Sequence, residues 1–163
     1  MTGFIRFTDM DNTTLQLIGF EMVNANHVSE SAITFTSSSL VTSNTLLLSN
    51  AYIHDNTAPT LFGVMDCNLS LTIEDSRFEN NQNGATMTKM YCTTAGCSPL
   101  LDISDSTFEY NQGLLFQIDI TEVDSSFSVF MDSNNFLDQS GGVLKTTASP
   151  VPRRFPVQLY RCV

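Results

Sequence analysis

Leu71-Thr72-Ile73-Glu74-Asp75-Ser76-Arg77-Phe78-Glu79-Asn80-Asn81 and, thirty residues on, Leu101-Asp102-Ile103-Ser104-Asp105-Ser106-Thr107-Phe108-Glu109-Tyr110-Asn111 are two copies of one pattern. Two apolar residues stand two apart, a short polar step follows, and a phenylalanine comes five positions after the second apolar residue. Weaker copies lie on either side: Leu46, Leu48, Ile53 and Asn56; Val129, Met131, Phe136 and Gln139; and Leu15, Leu17, Met22 and Ala25. Val157 and Leu159 begin one more. The second apolar position falls at Leu17, Leu48, Ile73, Ile103, Met131 and Leu159, at intervals of 31, 25, 30, 28 and 28 residues. The third follows five residues later in each of the first five copies. A constant inner pattern with a variable interval describes a repeated coil whose loops differ in length.

Each unit has a second half, a small residue followed by another extended run: Ser31–Phe35, Leu61–Met65, Gly84–Met87, Gly113–Phe116 and Gly141–Leu144, with Gly3–Phe7 in the same slot. Alternation at i and i+2, with β-branched and aromatic residues, is the strand period. The runs are short and end in Asn, Asp, Ser or Gly, the residues that make turns. No stretch supplies the ten or more residues at 3.6 spacing that a helical repeat needs. The pattern therefore predicts an all-β solenoid, a right-handed parallel β-helix with coils of about 25–31 residues and neighbouring strands about 4.8 Å apart. Leu15, Leu46, Leu71, Leu101, Val129 and Val157 should form one inward stack. Ile53, Phe78, Phe108 and Phe136, continuing from Met22, should form a mostly aromatic one. An antiparallel sandwich is the alternative, and the constant five-residue step across five copies argues against it. Residues 1–163 read as a single β-helix segment that enters and leaves mid-unit, expected to be part of a longer chain or of an end-to-end assembly.

Composition narrows the function. The formal net charge is -10, which argues against nucleic acid and anionic membrane as partners. Charged residues make up 15% of the chain, while Ser, Thr and Asn make up roughly a third and compete with helix backbone bonds. A hydrophobic content of 42% is too high for a disordered chain. No apolar run reaches 18 residues, so no membrane insertion by a spanning helix is expected, and no leader is visible at Met1–Arg6.

The form Phe-x-x-Asn occurs as Phe78-Glu79-Asn80-Asn81 and Phe108-Glu109-Tyr110-Asn111, with Ile53-His54-Asp55-Asn56 close to it. Gly-Gly-Ala-aliphatic is approached by Gly141-Gly142-Val143-Leu144 and more loosely by Gly84-Ala85-Thr86-Met87. Alternation of these motifs resembles the repeats of polymorphic outer-membrane proteins and other pectin-lyase-like right-handed parallel β-helices, over nearly the whole chain. The resemblance implies surface adhesins, virulence passengers, structural shafts or polysaccharide lyases. Ala25 and Gln139 depart from the Asn column, which is expected to break there.

Candidate site residues follow from the columns. Asn56, Asn81 and Asn111 read as a ladder, since Asn tolerates left-handed backbone and its amide can bond the coils above and below. Asp75 with Asp105, and Glu79 with Glu109, stack like charges one coil apart. These need solvent, a neighbouring cation or a metal, and all-oxygen ligands would suit calcium. The alternative is a solvated outer face, with Arg77 and His54 close by register. Both histidines, His27 and His54, read as ordinary turn residues. Cys92 and Cys97 flank the bulging loop Thr93–Gly96, in a coil five residues longer than the one before it, and read as a disulfide, with Cys67–Cys92 as the rival pairing. Cys162 has no evident partner. Asn12-Thr13-Thr14 and Asn68-Leu69-Ser70 are glycosylation sequons. Cysteines, sequons and low charge together point to an extracellular or cell-surface location.

No catalytic constellation is legible among the few basic residues and the scattered Ser and Thr. The expected role is structural: an adhesin stalk, shaft or filament subunit whose partner is itself, through head-to-tail stacking or further residues of the same chain. The competing readings are a polysaccharide-active enzyme, marked by acids and a base converging in a groove, and a carbohydrate-binding module, marked by a flat side with exposed aromatics.

Overall fold

The computed structural model describes residues 5–8, 10–25, 31–36, 43–65, 68–93, 95–121, 125–148 and 157–160. Among these residues every regular element is a strand, laid down three to a coil. The first coil holds β1 (Ile5–Phe7), β2 (Thr14–Ile18) and β3 (Glu21–Val23); the second β4 (Ser31–Thr36), β5 (Asn44–Ser49) and β6 (Tyr52–His54). The third holds β7 (Thr60–Met65), β8 (Leu69–Glu74) and β9 (Arg77–Glu79); the fourth β10 (Gln82–Cys92), β11 (Leu100–Ser104) and β12 (Thr107–Glu109). β13 (Gln112–Ile120), β14 (Ser128–Asp132) and β15 (Asn135–Leu137) make the fifth, and β16 (Leu144–Ala148) with β17 (Val157–Tyr160) begins another.

Strands gather by their place in the coil. β1, β4, β7, β10, β13 and β16 form a first sheet, β2, β5, β8, β11, β14 and β17 a second, and β3, β6, β9, β12 and β15 a third. All the pairings are parallel, as in a β-solenoid. The registers reproduce the apolar columns of the sequence: Leu15–Leu46–Leu71–Leu101–Val129–Val157 on the second sheet, Met22–Ile53–Phe78–Phe108–Phe136 on the third. Ile53, Phe78 and Phe108 are fully buried and Phe136 is half-buried. The Phe78 and Phe108 rings stack at 4.7 Å, Phe108 and Phe136 at 5.1 Å, and Phe116 from the first sheet meets Phe108 edge-on at 5.6 Å. One coil buries little by itself, so this interior exists only through stacking.

The constant five-residue step has a backbone cause. Each third-sheet strand is three residues long because a left-handed residue turns the chain on both sides of it. Before it stand Gly19, Asn50, Asp75, Asp105 and Ser133, and after it Asn24, Asp55, Asn80, Tyr110 and Asp138, all at positive φ. These are mostly the types that tolerate that conformation. The ladder asparagines themselves are not left-handed, contrary to the sequence expectation; the residue before each one is.

The first sheet departs from the expected alignment of Gly84–Met87 with Gly113–Phe116. Gln82 pairs with Gln112, but Thr86 pairs with Leu114, so the register slips between them and Thr88, not Met87, lies beside Phe116. A bulge in β10 absorbs the extra length. At Gly141 a side chain is forbidden, because a Cβ there would come within 2.2 Å of the Gly113 backbone.

Candidate functional site

In each third-sheet strand the middle residue points inward and its two neighbours point out. The outer face therefore carries two rows: Glu21, Tyr52, Arg77, Thr107 and Asn135, and beside them Val23, His54, Glu79, Glu109 and Leu137. Its polar side chains bond diagonally, a residue of the first row reaching the second row one coil further on. Glu21 meets His54 Nε2 at 3.1 Å, Tyr52 Oη donates to Glu79 at 2.6 Å, and Arg77 donates to Glu109. Arg77 also lies 3.2 Å from Glu79, so one guanidinium serves both stacked glutamates.

The rings add a platform. Tyr52 and His54 stack at 4.1 Å, and the Arg77 guanidinium sits 5.7 Å from the centre of the Tyr52 ring. At the corner, Asp55 takes His54 Nδ1 at 2.8 Å and accepts a hydrogen bond from Asn80. Both imidazole nitrogens thus face carboxylates, which only the protonated ring satisfies with two donors. The bond to Asp55, then that to Glu21, raises the His54 pKa above its ordinary value, against a smaller effect of desolvation. The same bond to His54 lowers the Asp55 carboxyl, helped by Asn80. The Tyr52 phenol is raised, first by its bond to Glu79, and the Arg77 guanidinium is raised by its bond to Glu109.

The sequence-derived residues are placed as follows. Glu79 and Glu109 are register partners on this face, with Arg77 as their cation. Asp75 and Asp105 are left-handed corner residues between the second and third sheets, exposed and in a separate column. Among the described residues no group of three or more His, Cys, Asp or Glu gathers as a metal ion would need. His54 is a strand residue rather than a turn residue; His27 lies outside the described residues.

Asn56, Asn81 and Asn111 are buried and do form a ladder: Asn56 Nδ2 donates to Asn81 Oδ1 and Asn81 Nδ2 to Asn111 Oδ1, each at 2.9 Å. The same oxygens take the backbone amides of Asn56 and Asn81, and Asn56, Asn81 and Asn111 Nδ2 donate to the carbonyls of Met22, Ile53 and Phe78 in turn. At Ala25 and Gln139 the chain of side-chain amide bonds stops, and Gln139 Oε1 takes no partner among the described residues, but single contacts to the neighbouring coil persist. Ala25 donates its amide to Asn56 Oδ1, and Gln139 Nε2 reaches the Phe108 carbonyl at 2.7 Å.

A second ladder, not singled out in the sequence, runs along the other corner of the third sheet. The Ala51 amide donates to Ser76 Oγ, the Ser76 amide to Ser106 Oγ, and the Ser106 amide to Asn134 Oδ1. Its signal was the residue after each left-handed Asp or Ser, masked by the abundance of serine. Cys92 and Cys97 are disulfide-bonded with Cα atoms 6.0 Å apart. The rival partner Cys67 and the unassigned Cys162 lie outside the described residues. Asn12 and Asn68 stand at the entry to the second sheet, Asn12 exposed and Asn68 half-buried.

No protein-family model, curated protein or solved structure matches the chain.

Proposed function

We propose that this chain is a structural β-helix segment of an extracellular or cell-surface protein, a stalk, shaft or filament subunit like those its Phe-x-x-Asn and Gly-Gly repeats resemble in polymorphic outer-membrane and other pectin-lyase-like proteins. The observation that carries this reading is that polar side chains inside and outside are bonded along the axis, coil to coil: the Asn ladder, the Ser ladder and the diagonals of the third sheet. Such bonding stiffens a shaft and leaves few groups turned toward a ligand. The Cys92–Cys97 bond fits an oxidising compartment.

Association through the ends belongs to the same reading. Leu15, Leu17 and Met22 are only half-buried, whereas their register partners Leu46, Leu48 and Ile53 are fully buried. A further coil from the same polypeptide or from a second copy would complete that burial and pair the edge strands. Electron microscopy of native material, with intact-mass measurement, tests this. Rods or filaments are expected, with a polypeptide well above 18.0 kDa if the chain continues and near it, before glycans, if copies stack. A compact monomer of this length that stays unassociated at high concentration would overturn the proposal.

One observation favours a second reading, carbohydrate binding on the third sheet: Tyr52 is 36% exposed on a flat face with Arg77, Glu79 and Glu109 beside it. Titration with oligosaccharides, comparing Tyr52→Ala with the parent, distinguishes the two, since a shaft predicts no heat in either.

A further inference from the structure

The chain has 13 asparagines, and two of them, Asn12 and Asn68, head an Asn-x-Ser/Thr sequon. The fold places these two in one column. Thr14, Thr45, Ser70, Leu100 and Ser128 are successive register partners on the second sheet. Two residues earlier in each coil lie Asn12, Ser43, Asn68, Ser98 and Ser126, on the edge where the chain passes from the first sheet to the second. The hydrogen bonds agree with that alignment. The Ser43 amide donates to Asn12 Oδ1 at 3.3 Å, the Ser98 amide donates to Asn68 Oδ1 at 2.7 Å, and the Ser98 and Ser126 hydroxyls meet at 3.2 Å. In both sequons the side-chain oxygen is turned along the axis to the next coil. The sequon hydroxyls Thr14 and Ser70 also share a column.

The coil between carries no sequon in this column. Asn44 sits one position later, is fully buried, and spends its amide on the Thr13 N–H and the Met10 carbonyl. It has Leu46 where a sequon needs a hydroxyl. The Cys92–Cys97 bond ends next to Ser98, so it anchors the amide that orients Asn68.

We propose that Asn12 and Asn68 both carry N-linked glycans, two coils and about 10 Å apart at the usual strand spacing, making one edge of the solenoid sugar-bearing while the third sheet stays bare. This rests on the extracellular reading above. In the transfer, Nδ2 of each asparagine forms a bond to the anomeric carbon of a lipid-diphosphate-linked oligosaccharide. The anomeric carbon–oxygen bond breaks, the lipid diphosphate leaves with the electron pair, and the amide gives up one proton.

The test is peptide mass spectrometry of the native protein after peptide N-glycosidase treatment in heavy-oxygen water, with non-reduced mapping of Cys92 and Cys97. Heavy-labelled Asp at both positions is expected, with each label lost in Thr14→Ala or Ser70→Ala, variants that keep the asparagine. Occupancy at neither or at one site overturns the sugar-bearing edge. If the cysteines are recovered as thiols as well, the extracellular reading fails with it; oxidised cysteines beside bare asparagines refute the glycans alone. A second arm checks the placement: the glycans should be released from the folded protein as completely as from the denatured chain, and resistance in the folded state would show that the column does not face outward.

Discussion

A ring removed from the middle of the aromatic column leaves a hole bounded by rings above and below. Phe108 is that ring, stacked between Phe78 and Phe136 and met edge-on by Phe116. Because both neighbours are held by their own strands, the site can collapse little, and Phe108→Ala is expected to cost about 3–5 kcal/mol in urea unfolding. A loss under about 1 kcal/mol would show that the column does not face inward. At the next corner Tyr110 holds φ at 54°, where the equivalent residues are Asn24, Asp55, Asn80 and Asp138. Left-handed backbone penalises a bulky side chain more than Asn, and Tyr110 is 55% exposed, so little packing is at stake. Tyr110→Asn should therefore stabilise the chain by about 1 kcal/mol, read as a rise in the same unfolding midpoint.

At the scale of the elements, the ladders and the outer face make separate claims. Asn81→Ala removes the side-chain acceptor of the Asn56 amide and the donor to the Ile53 carbonyl, and breaks both rungs of the Asn ladder. Buried groups left without partners make this cost about 3 kcal/mol, measurable by thermal or urea unfolding. The outer face responds to pH instead. The His54 pKa is raised by folding above its ordinary 6.5, so its contribution is fully present below that value and is lost as pH rises through the folded pKa. Stability measured upward from about pH 6 should fall through that window, and His54→Gln should flatten the fall; an unchanged profile in the variant would place the transition elsewhere. The columns were legible in the sequence because the left-handed corners keep Ile73 to Phe78 and Ile103 to Phe108 at one length, so equal spacing along the chain is equal register in the fold. The slip in β10 was not, since a bulge leaves no mark beyond a loose match at Gly84–Met87. The Glu21–His54 and Tyr52–Glu79 bonds join residues 33 and 27 apart in different rows. They depend on side-chain direction as well as register, which a column alignment does not carry.

For the molecule as a whole, each coil's bonds go to the coil before and the coil after. The ladder bonds span 25 or 30 residues, one coil each. The left-handed positions recur at the same place in every coil whatever its length, and Asp75 and Asp105 hold the same φ of 48°. These two residues are therefore interchangeable splice points. Excising residues 76–105 would join Asp75 to Ser106, remove the disulfide loop entire, and bring Asn111 to the place that Asn81 held against Asn56. The new neighbours would be Ile53 on Phe108, Ile73 on Met131 and Ala51 on Ser106, all combinations of residue types the interior already accepts. Such a shortened chain should fold to the same β-rich circular dichroism spectrum and unfold cooperatively, with a smaller denaturant dependence because less surface is exposed. Loss of cooperative unfolding would mean that the coils are individually fitted. If folding survives, the coil is a cassette, and a gene encoding this fold could lengthen or shorten by whole units, cut at one aspartate and resealed at the next.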